Sequence, residues 1–499
     1  MMPAQAAQQM TLGDLLGELL PHDRPDLAGI VVDDIASDSR RLEPGAVFFA
    51  LGGLTGHGLD HLHEAVQRGA AVVVYQTDSQ PTVAPLTAVP TVPVADLSNH
   101  MGAIASRYFR THAIAAPIVG ITGTNGKTSV AWLVGEALRK LGGQCGYIGT
   151  LGWGTLPQLD AQTLTTPDCI TLHRRLAAVT AGQYPAVMEV SSHALDQARV
   201  AGVPFEVAVF TNLSRDHLDY HASMAAYADT KARLFEVDGL RHAVINVDDG
   251  FGVELASRAT ARGIGVITTS SCGEGHARLT AQRLPGTRVC LSIDGDGCPT
   301  QTLRSQLLGE FNAENLILSL GVLEALGVER SDAVAALAEC APPPGRMEVF
   351  GEDGTPTVVV DFAHTPAALE RALKSVKSLV SGQLTVVFGC GGDRDKGKRA
   401  PMGEVAARWA DRVILTDDNP RGESSAAITE AISAGMDPQQ WVMVEHDRGT
   451  AIDWAVAHAG ADDLVLVAGK GHEVAQIRDD VAVHFSDQQR VMAALEAWR

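Results

Sequence analysis

Short apolar runs of four to seven residues, each closed by a polar or glycine-rich connection, recur along most of the chain. Runs of that length predict buried strands, and the helical periodicity between them predicts crossover helices. In the first part, "AVFFAL" (46–51) and "AAVVVY" (70–75) flank a predicted helix near 60–68, the rhythm of a small α/β domain. The middle part carries "PIVGIT" (117–122), "PAVMEV" (185–190), "VAVFTN" (207–212) and "AVINVD" (243–248). The last repeats the pattern with "TVVVDF" (357–362), "LTVVFG" (384–389), "RVILTD" (412–417) and "DLVLVAG" (463–469). Two segments read as joints: "RTHAIAAP" (110–117) and "CAPPPGR" (340–346), where three prolines exclude helix and favour an extended spacer. The expected architecture is therefore α/β in three domains: a small N-terminal domain (1–112), a central parallel-sheet domain (113–343) and a C-terminal Rossmann-like domain (344–499).

Composition narrows the function. The chain has 499 residues, enough for about three domains. Its 39 basic and 59 acidic residues give a net charge of -20, which repels a polyphosphate backbone and argues against nucleic-acid binding. A local basic pocket could still take a small anion. The start "MMPAQAAQQM" lacks a basic segment followed by an apolar core, and no run of about 18 apolar residues occurs, so a soluble, cytoplasmic protein without membrane insertion is expected. Cys145, Cys169, Cys272, Cys290, Cys298, Cys340 and Cys390 are scattered and never spaced as C-x-x-C pairs. They support neither a disulfide framework nor a zinc site.

The strongest chemical motif is "GITGTNGKT" (120–128), placed after a strand-like run and before a helix with Val130, Leu133, Val134, Ala137, Leu138 and Leu141 on its apolar face. Glycines let backbone N–H groups turn inward and the helix amino terminus adds positive charge. Lys127 can then reach terminal phosphates and Thr128 can ligate Mg²⁺. Five residues separate Gly120 from Gly126, one more than the general phosphate-loop pattern has. The strand before and the amphipathic helix after are nonetheless the context the motif requires.

"GTNGKT" resembles the phosphate loop of the Mur ligases, the ATP-dependent amino-acid-adding enzymes of peptidoglycan precursor synthesis. The resemblance continues in order from Ser39 to Glu473. It implies ATP binding by Gly123, Thr124, Asn125, Gly126, Lys127, Thr128, by Asn312 in "LLGEFNAENLILSL" (307–320), and by Arg346 after the proline joint. It also implies catalytic roles for Lys127, His217 and Lys231. Lys231 matches the lysine that the family carries as a carbamate, which converts a cation into a hard oxygen ligand. Mg²⁺ would then be held by Thr128, Glu189, His217 and carbamylated Lys231. "DFAHTP" (361–366) matches a family pattern except for Phe362, and His364 is expected to line the cleft.

For the nucleotide-sugar substrate, UDP-N-acetylmuramoyl-L-alanyl-D-glutamate, the resemblance implies Ser39, Thr165, Thr166, Ser191, Gln197 and Arg199. The chain departs from the family at Thr55, Gly56 and His57, where "D-G-H" is common. In the last domain, "FGCGGDRDKGKR" (388–399) and "DDNPRGE" (417–423) both follow apolar strands. Asp418, Asn419, Pro420 and Arg421 match the branch of the family that adds meso-diaminopimelate rather than L-lysine, with Arg394, Gly469 and Glu473 as further contacts. A guanidinium can grip the distal carboxylate, while Asn419 and Asp418 offer acceptors for the distal ammonium. The alternatives are a lysine-adding ligase, a folate polyglutamylating ligase, and a non-catalytic muropeptide-binding switch. A monomer is expected.

Overall fold

The computed structural model describes residues 10–53, 56–78, 88–218, 220–272, 277–286, 288–295, 297–352, 354–479 and 481–498. Thr55 lies outside them. The chain divides into two compact units, one of Met1–Lys127, Gly143–Ala243 and Glu254–Val266, the other of Thr128–Gly142, Val244–Val253 and Ile267–Arg499. No helix among the described residues is long and apolar enough to cross a membrane.

The first unit begins with a four-stranded parallel sheet, Asp34–Ala36, Ala46–Ala50, Val72–Gln76 and Thr91–Val94, paired in chain order. Both faces are covered, which explains the continuous apolar runs. Val47, Phe49, Val72 and Val74 enter one core with Leu12, Leu97 and Ile104, while Ala46, Phe48, Val73 and Tyr75 enter the other with Ala65. A second sheet of this unit centres on Ile118–Thr122, whose parallel neighbours are Ala186–Glu189 and Val207–Phe210. Gly146–Gly149 lies parallel beyond Ala186–Glu189, followed by antiparallel Gly152–Thr155 and Gln158–Asp160.

The predicted joint at 110–117 is built around a buried threonine. It contains a 3₁₀ turn, Thr111–Ala113, and Thr111 is fully buried. The Thr111 hydroxyl lies 2.6 Å from Nδ1 of His173, whose Nε2 lies 2.9 Å from the Ala201 carbonyl.

In the second unit, Leu279–Arg283, Cys290–Gly295 and Cys298–Arg304 form an antiparallel meander. The alternation Leu291, Ser292, Ile293 and the glycines at 295 and 297 specify this hairpin, which the sequence reading did not single out. A six-stranded sheet follows, in the order Glu348–Phe350, Thr357–Asp361, Leu464–Ala468, Leu384–Phe388, Arg412–Leu415, Val442–Val444, with the first strand antiparallel. Alternate residues serve opposite layers. Val359, Val386, Phe388, Val413 and Leu466 pack with helices Pro366–Lys377, Arg399–Trp409 and Ser425–Ser433, while Val358, Val360, Val387, Ile414 and Val465 pack with Arg448–Ala457 and Asp487–Ala497. The loops after its central strands all leave at carboxyl ends, the ligand-facing edge of a doubly wound sheet.

Candidate functional site

Gly123 of the phosphate loop has φ +144, and a Cβ there would overlap the hydroxyl of Thr211. That close approach lets the segment after strand Val207–Phe210 staple the loop. Thr124 N donates to the Asn212 carbonyl at 2.8 Å, Asn125 N to Asn212 Oδ1 at 3.0 Å, and Thr211 Oγ1 to the Asn125 carbonyl at 2.6 Å. "TNLS" is thus the brace that shapes the loop. Gly126, at φ +87, turns the chain into the helix Lys127–Lys140, whose second residue is buried Thr128. Lys127 Nζ folds back to the Gly123 and Thr124 carbonyls, 2.9 Å from each.

Lys231, on the helix Met224–Ala232, is 1 % exposed. Its Nζ donates to the Gly123 carbonyl at 2.8 Å and lies 4.4 Å from the ring centroid of Tyr227. Burial, and then the neighbouring Lys127 charge, pushes the Lys231 ammonium well below the ordinary lysine range. A helix lysine is usually a solvated cation, so the sequence by itself gave no sign of this burial. Tyr227, which sequence reasoning missed, also places its hydroxyl 3.3 Å from Thr124 Oγ1, and burial pushes its phenol up to about 12. His217, at φ 53, stands edge-on to His193 with centroids 5.0 Å apart and lies 3.4 Å from an Asp216 carboxylate oxygen.

Glu189 ends strand Ala186–Glu189 and is wholly buried. Its Oε1 accepts from the Tyr147 hydroxyl at 2.8 Å and Thr150 N at 2.7 Å, and its Oε2 accepts from Thr150 Oγ1 at 3.0 Å. Tyr147 and Thr150 were invisible to sequence reasoning, since they come from the neighbouring strand and its exit turn. These bonds fix the plane of the carboxylate. Among the described residues, no group of three or more His, Cys, Asp or Glu side chains makes a ready metal site. An oriented carboxylate beside a phosphate loop fits Mg²⁺, which takes few protein ligands and completes its shell with phosphate oxygens and water.

Thr165, Thr166, Ser191, Gln197 and Arg199 come together around Glu189. Thr165 Oγ1 is 3.2 Å from Thr150 Oγ1, Thr166 Oγ1 donates to the Glu189 carbonyl at 2.9 Å, and Ser191 N donates to Thr166 Oγ1 at 3.1 Å. The Ser191 hydroxyl also caps the helix Ser192–Asp196. Arg199 donates to the Thr166 carbonyl and, through Nε and Nη2, to Gln197 Oε1. Ser39 is not joined to this cluster: it is buried, and its hydroxyl donates to Glu64 Oε2 at 2.7 Å.

In the second unit, Asn312 donates from Nδ2 to the Leu308 carbonyl and accepts from Asn315. Arg346 lays its guanidinium 4.4 Å from the Phe362 centroid, and its buried Nε has no hydrogen-bond partner among the described residues. Phe362 is also flanked by His364 and His472, at centroid distances of 4.6 and 5.1 Å. An aromatic face suffices for that contact, and Phe362 supplies it.

The edge of the six-stranded sheet gathers the remaining predicted residues, with Arg394 exposed on the 391–398 loop, where its Cγ and Arg421 Nη1 lie beside the same face of Gly391. Arg421 has φ 51 and is held there by pairing: its N–H donates to the Ile477 carbonyl at 3.0 Å, and Asp479 N donates to its own carbonyl at 2.9 Å. One guanidinium nitrogen, Nη1, donates to the Gly392 carbonyl at 2.9 Å. Pro420 is buried beside it. Gly469, at φ +114, leaves room for the buried Asp418, whose Oδ2 a Cβ would strike. Asn419 does not offer its carbonyl outward, as was expected. Its Oδ1 accepts from Lys470 Nζ at 3.1 Å and Ile477 N at 2.9 Å, and its Nδ2 donates to Glu473 Oε2 at 3.0 Å. Lys470, fully buried, was missed because its role depends on that packing.

Residues 32–109 match the family described as "Mur ligase family, catalytic domain", residues 121–323 "Mur ligase middle domain", and residues 345–471 "Mur ligase, glutamate ligase domain". The chain is 45% identical over 485 residues to a UDP-N-acetylmuramoyl-L-alanyl-D-glutamate--2,6-diaminopimelate ligase of Alkalilimnicola ehrlichii, covering 95% of each chain. It is 43% identical to the protein of the same description from Pseudomonas aeruginosa, covering 97% of this chain and 98% of that one. A solved structure of a ligase of that description is 34% identical with a TM-score of 0.70, covering 98% and 99% of the two chains. The MurF ligase of Thermotoga maritima in complex with ADP shares the fold at 19% identity and a TM-score of 0.61, over 93% of this chain and 97% of that one.

Proposed function

The chain belongs to the Mur ligase family, whose members are ATP-dependent ligases, and on that premise we propose that it joins meso-diaminopimelate to the D-glutamate of UDP-N-acetylmuramoyl-L-alanyl-D-glutamate. The boundaries 1–112, 113–343 and 344–499 are the proposed domain limits, and the cytoplasm is the proposed compartment. ATP is the co-substrate. Its γ-phosphoryl group passes to the side-chain carboxylate of D-glutamate, and the amine of diaminopimelate then displaces phosphate from the acyl phosphate to give the amide.

In this reading the phosphate loop, Gly123 to Thr128, cradles the ATP phosphates, and Lys127 leaves its two carbonyl partners to follow the moving phosphoryl group. Asn312 and Arg346 are nucleotide contacts, and the unpaired Arg346 Nε supports an anionic partner for that residue. Glu189, His217 and carbamylated Lys231, with Thr128 in the loop, would hold Mg²⁺. Bound there, Mg²⁺ supplies positive charge that offsets the charge gathering on the transferring phosphoryl oxygens. Thr165, Thr166, Ser191, Gln197 and Arg199 orient the peptide end of the nucleotide-sugar, and Ser39 its uridine.

The amino-acid choice is carried by one constellation: Arg421 with a guanidinium nitrogen to spare, beside Asp418 and Glu473 on the same sheet edge. A guanidinium for the distal carboxylate and carboxylates for the distal ammonium fit diaminopimelate. Lysine has the amine but not the carboxylate. The test is mass spectrometry of the product formed from ATP, Mg²⁺, the UDP-muramoyl dipeptide and an equal mixture of both amino acids. A diaminopimelate product alone is expected; a lysine product in equal or greater amount overturns the reading, and phosphate release without an amide would mark a switch rather than a ligase.

A further inference from the structure

Lys470 has no exposed surface, yet it carries an ammonium group at the edge of the amino-acid lobe. Its Nζ lies 2.7 Å from Glu473 Oε2 and 3.1 Å from Asn419 Oδ1. Asn419 closes the triangle through Nδ2 to the same Glu473 oxygen, and Ile477 N takes the second lone pair on Asn419 Oδ1. The amide of Asn419 therefore has one possible orientation, with its carbonyl toward the ammonium. Glu473 is left with one oxygen doubly bonded by its neighbours and Oε1 without a partner among the described residues.

The charges around this triangle balance. Arg448, fully buried, is neutralised by Asp487, with Nε and Nη2 at 2.7 and 2.8 Å from its two oxygens. Asp417 is paired with Arg478 at 2.7 Å. What remains at the sheet edge is Arg421 and Lys470 against Asp418 and Glu473, two charges of each sign, while Arg394, exposed on the neighbouring loop, is screened by solvent. A net-neutral patch with separated poles matches the far end of a diamino diacid, which is a zwitterion. It matches less well the far end of lysine, a lone cation, because that cation meets Lys470 and Arg421 without bringing a carboxylate to offset them.

We propose that Lys470 is a specificity-determining positioning residue: by pinning Glu473 and Asn419 and cancelling one of two carboxylates, it makes the lobe select a zwitterionic terminus over a simple ammonium. Lys470 does not touch the reacting atoms. Without it, Asp418 and Glu473 outnumber Arg421, and a net-negative lobe favours a cation. This inference rests on the diaminopimelate reading above.

The experiment compares the full-length enzyme with Lys470→Met, in initial rates with diaminopimelate and with L-lysine at saturating ATP and UDP-muramoyl dipeptide. The expected result is a rise of about tenfold or more in KM for diaminopimelate, a smaller change in kcat, and a fall of about tenfold or more in the preference for diaminopimelate over lysine. An equal loss with both amino acids, or a KM for diaminopimelate within about twofold of the parent, overturns the proposal. Should Lys470→Met not fold, Lys470→Gln keeps a hydrogen-bond donor near Glu473 and Asn419 and removes only the charge. That variant is expected to lose the preference likewise, and retention of it overturns the proposal. A parent enzyme that makes no product with diaminopimelate defeats the reading of activity and this inference with it. A parent that does, beside variants that discriminate equally well, defeats this inference alone.

Discussion

Lys127 and Lys231 aim their amino groups at one oxygen, the carbonyl of Gly123, at 2.9 and 2.8 Å. Two ammonium ions on a single acceptor repel each other, and Lys231 is the more buried. Burial and the Lys127 charge together favour its uncharged amine. A neutral amine can attack CO₂: the N–C bond forms, a proton leaves to solvent, and the side chain becomes an anion.

Native mass spectrometry is therefore expected to find the added mass of one CO₂ on the parent enzyme and none on Lys231→Arg, whose guanidinium stays charged. The variant should lose on the order of 10²-fold or more in kcat, since an electrostatic stabiliser of the transferring group has been replaced by a cation. Full activity in Lys231→Arg would remove the carbamate from the mechanism.

Replacing Arg421 by Gln takes away the only guanidinium that projects from "DDNPR". The efficiency with diaminopimelate is expected to fall by roughly 10²-fold or more, through loss of a charge-assisted contact to the distal carboxylate, while the KM for ATP stays near the parent value. Steady-state rates with both amino acids check this, and an undiminished preference for the diacid would sink it.

Glu423 gives a stability signal that can be read with acid. The Arg399 guanidinium, at 3.1 Å, together with Asp393 N and Lys396, holds its carboxyl down to about 2 from an ordinary 4.5. A carboxyl lowered on folding stabilises the native state fully above its unfolded value, and that contribution drains away as pH falls through 4.5 toward 2. In urea unfolding, the parent should exceed Glu423→Gln near pH 7, and the gap should narrow by about pH 2.5. A gap that is constant or wider in acid contradicts the assignment.

Arg448 and Asp487 form an ion pair with no exposed surface, and Arg448 Nη2 also donates to the Ala468 carbonyl at 3.0 Å, at the end of a central strand. Arg448→Met leaves Asp487 buried and uncompensated, at a cost of about 3–5 kcal/mol. Arg448→Met combined with Asp487→Leu should recover much of that loss in the same denaturation assay. Additive losses in the double variant would show that the two side chains do not act as a pair.

Much of the fold was legible because buried parallel strands must be apolar on both faces, as in "TVVVDF" and "DLVLVAG". The phosphate loop was legible because its glycines are dictated locally by backbone shape. The hairpin at 290–304 was also written in the sequence, in the alternation Leu291, Ser292, Ile293, but it was obscured by the parallel pattern around it. Tyr147, Thr150, Tyr227 and Lys470 could not be read in advance. Their parts depend on which strand lies next to which, and nothing in their immediate neighbours separates them from ordinary core or surface residues. Asn419 shows the opposite difficulty: its position was apparent, but not which way its amide points, since that is set by an ammonium 51 residues downstream.

The left-handed backbone at Arg421 sets comfort against selectivity. Glycine or asparagine would occupy φ 51 with less strain, by about 1 kcal/mol, while abandoning the diacid's outer carboxylate. A laboratory screen that rewarded only heat tolerance would thus drift toward losing Arg421, and with it, on the proposed reading, the preference for the diacid. Such a screen needs a second round that counts the product, because at this residue ruggedness and fidelity are traded against each other.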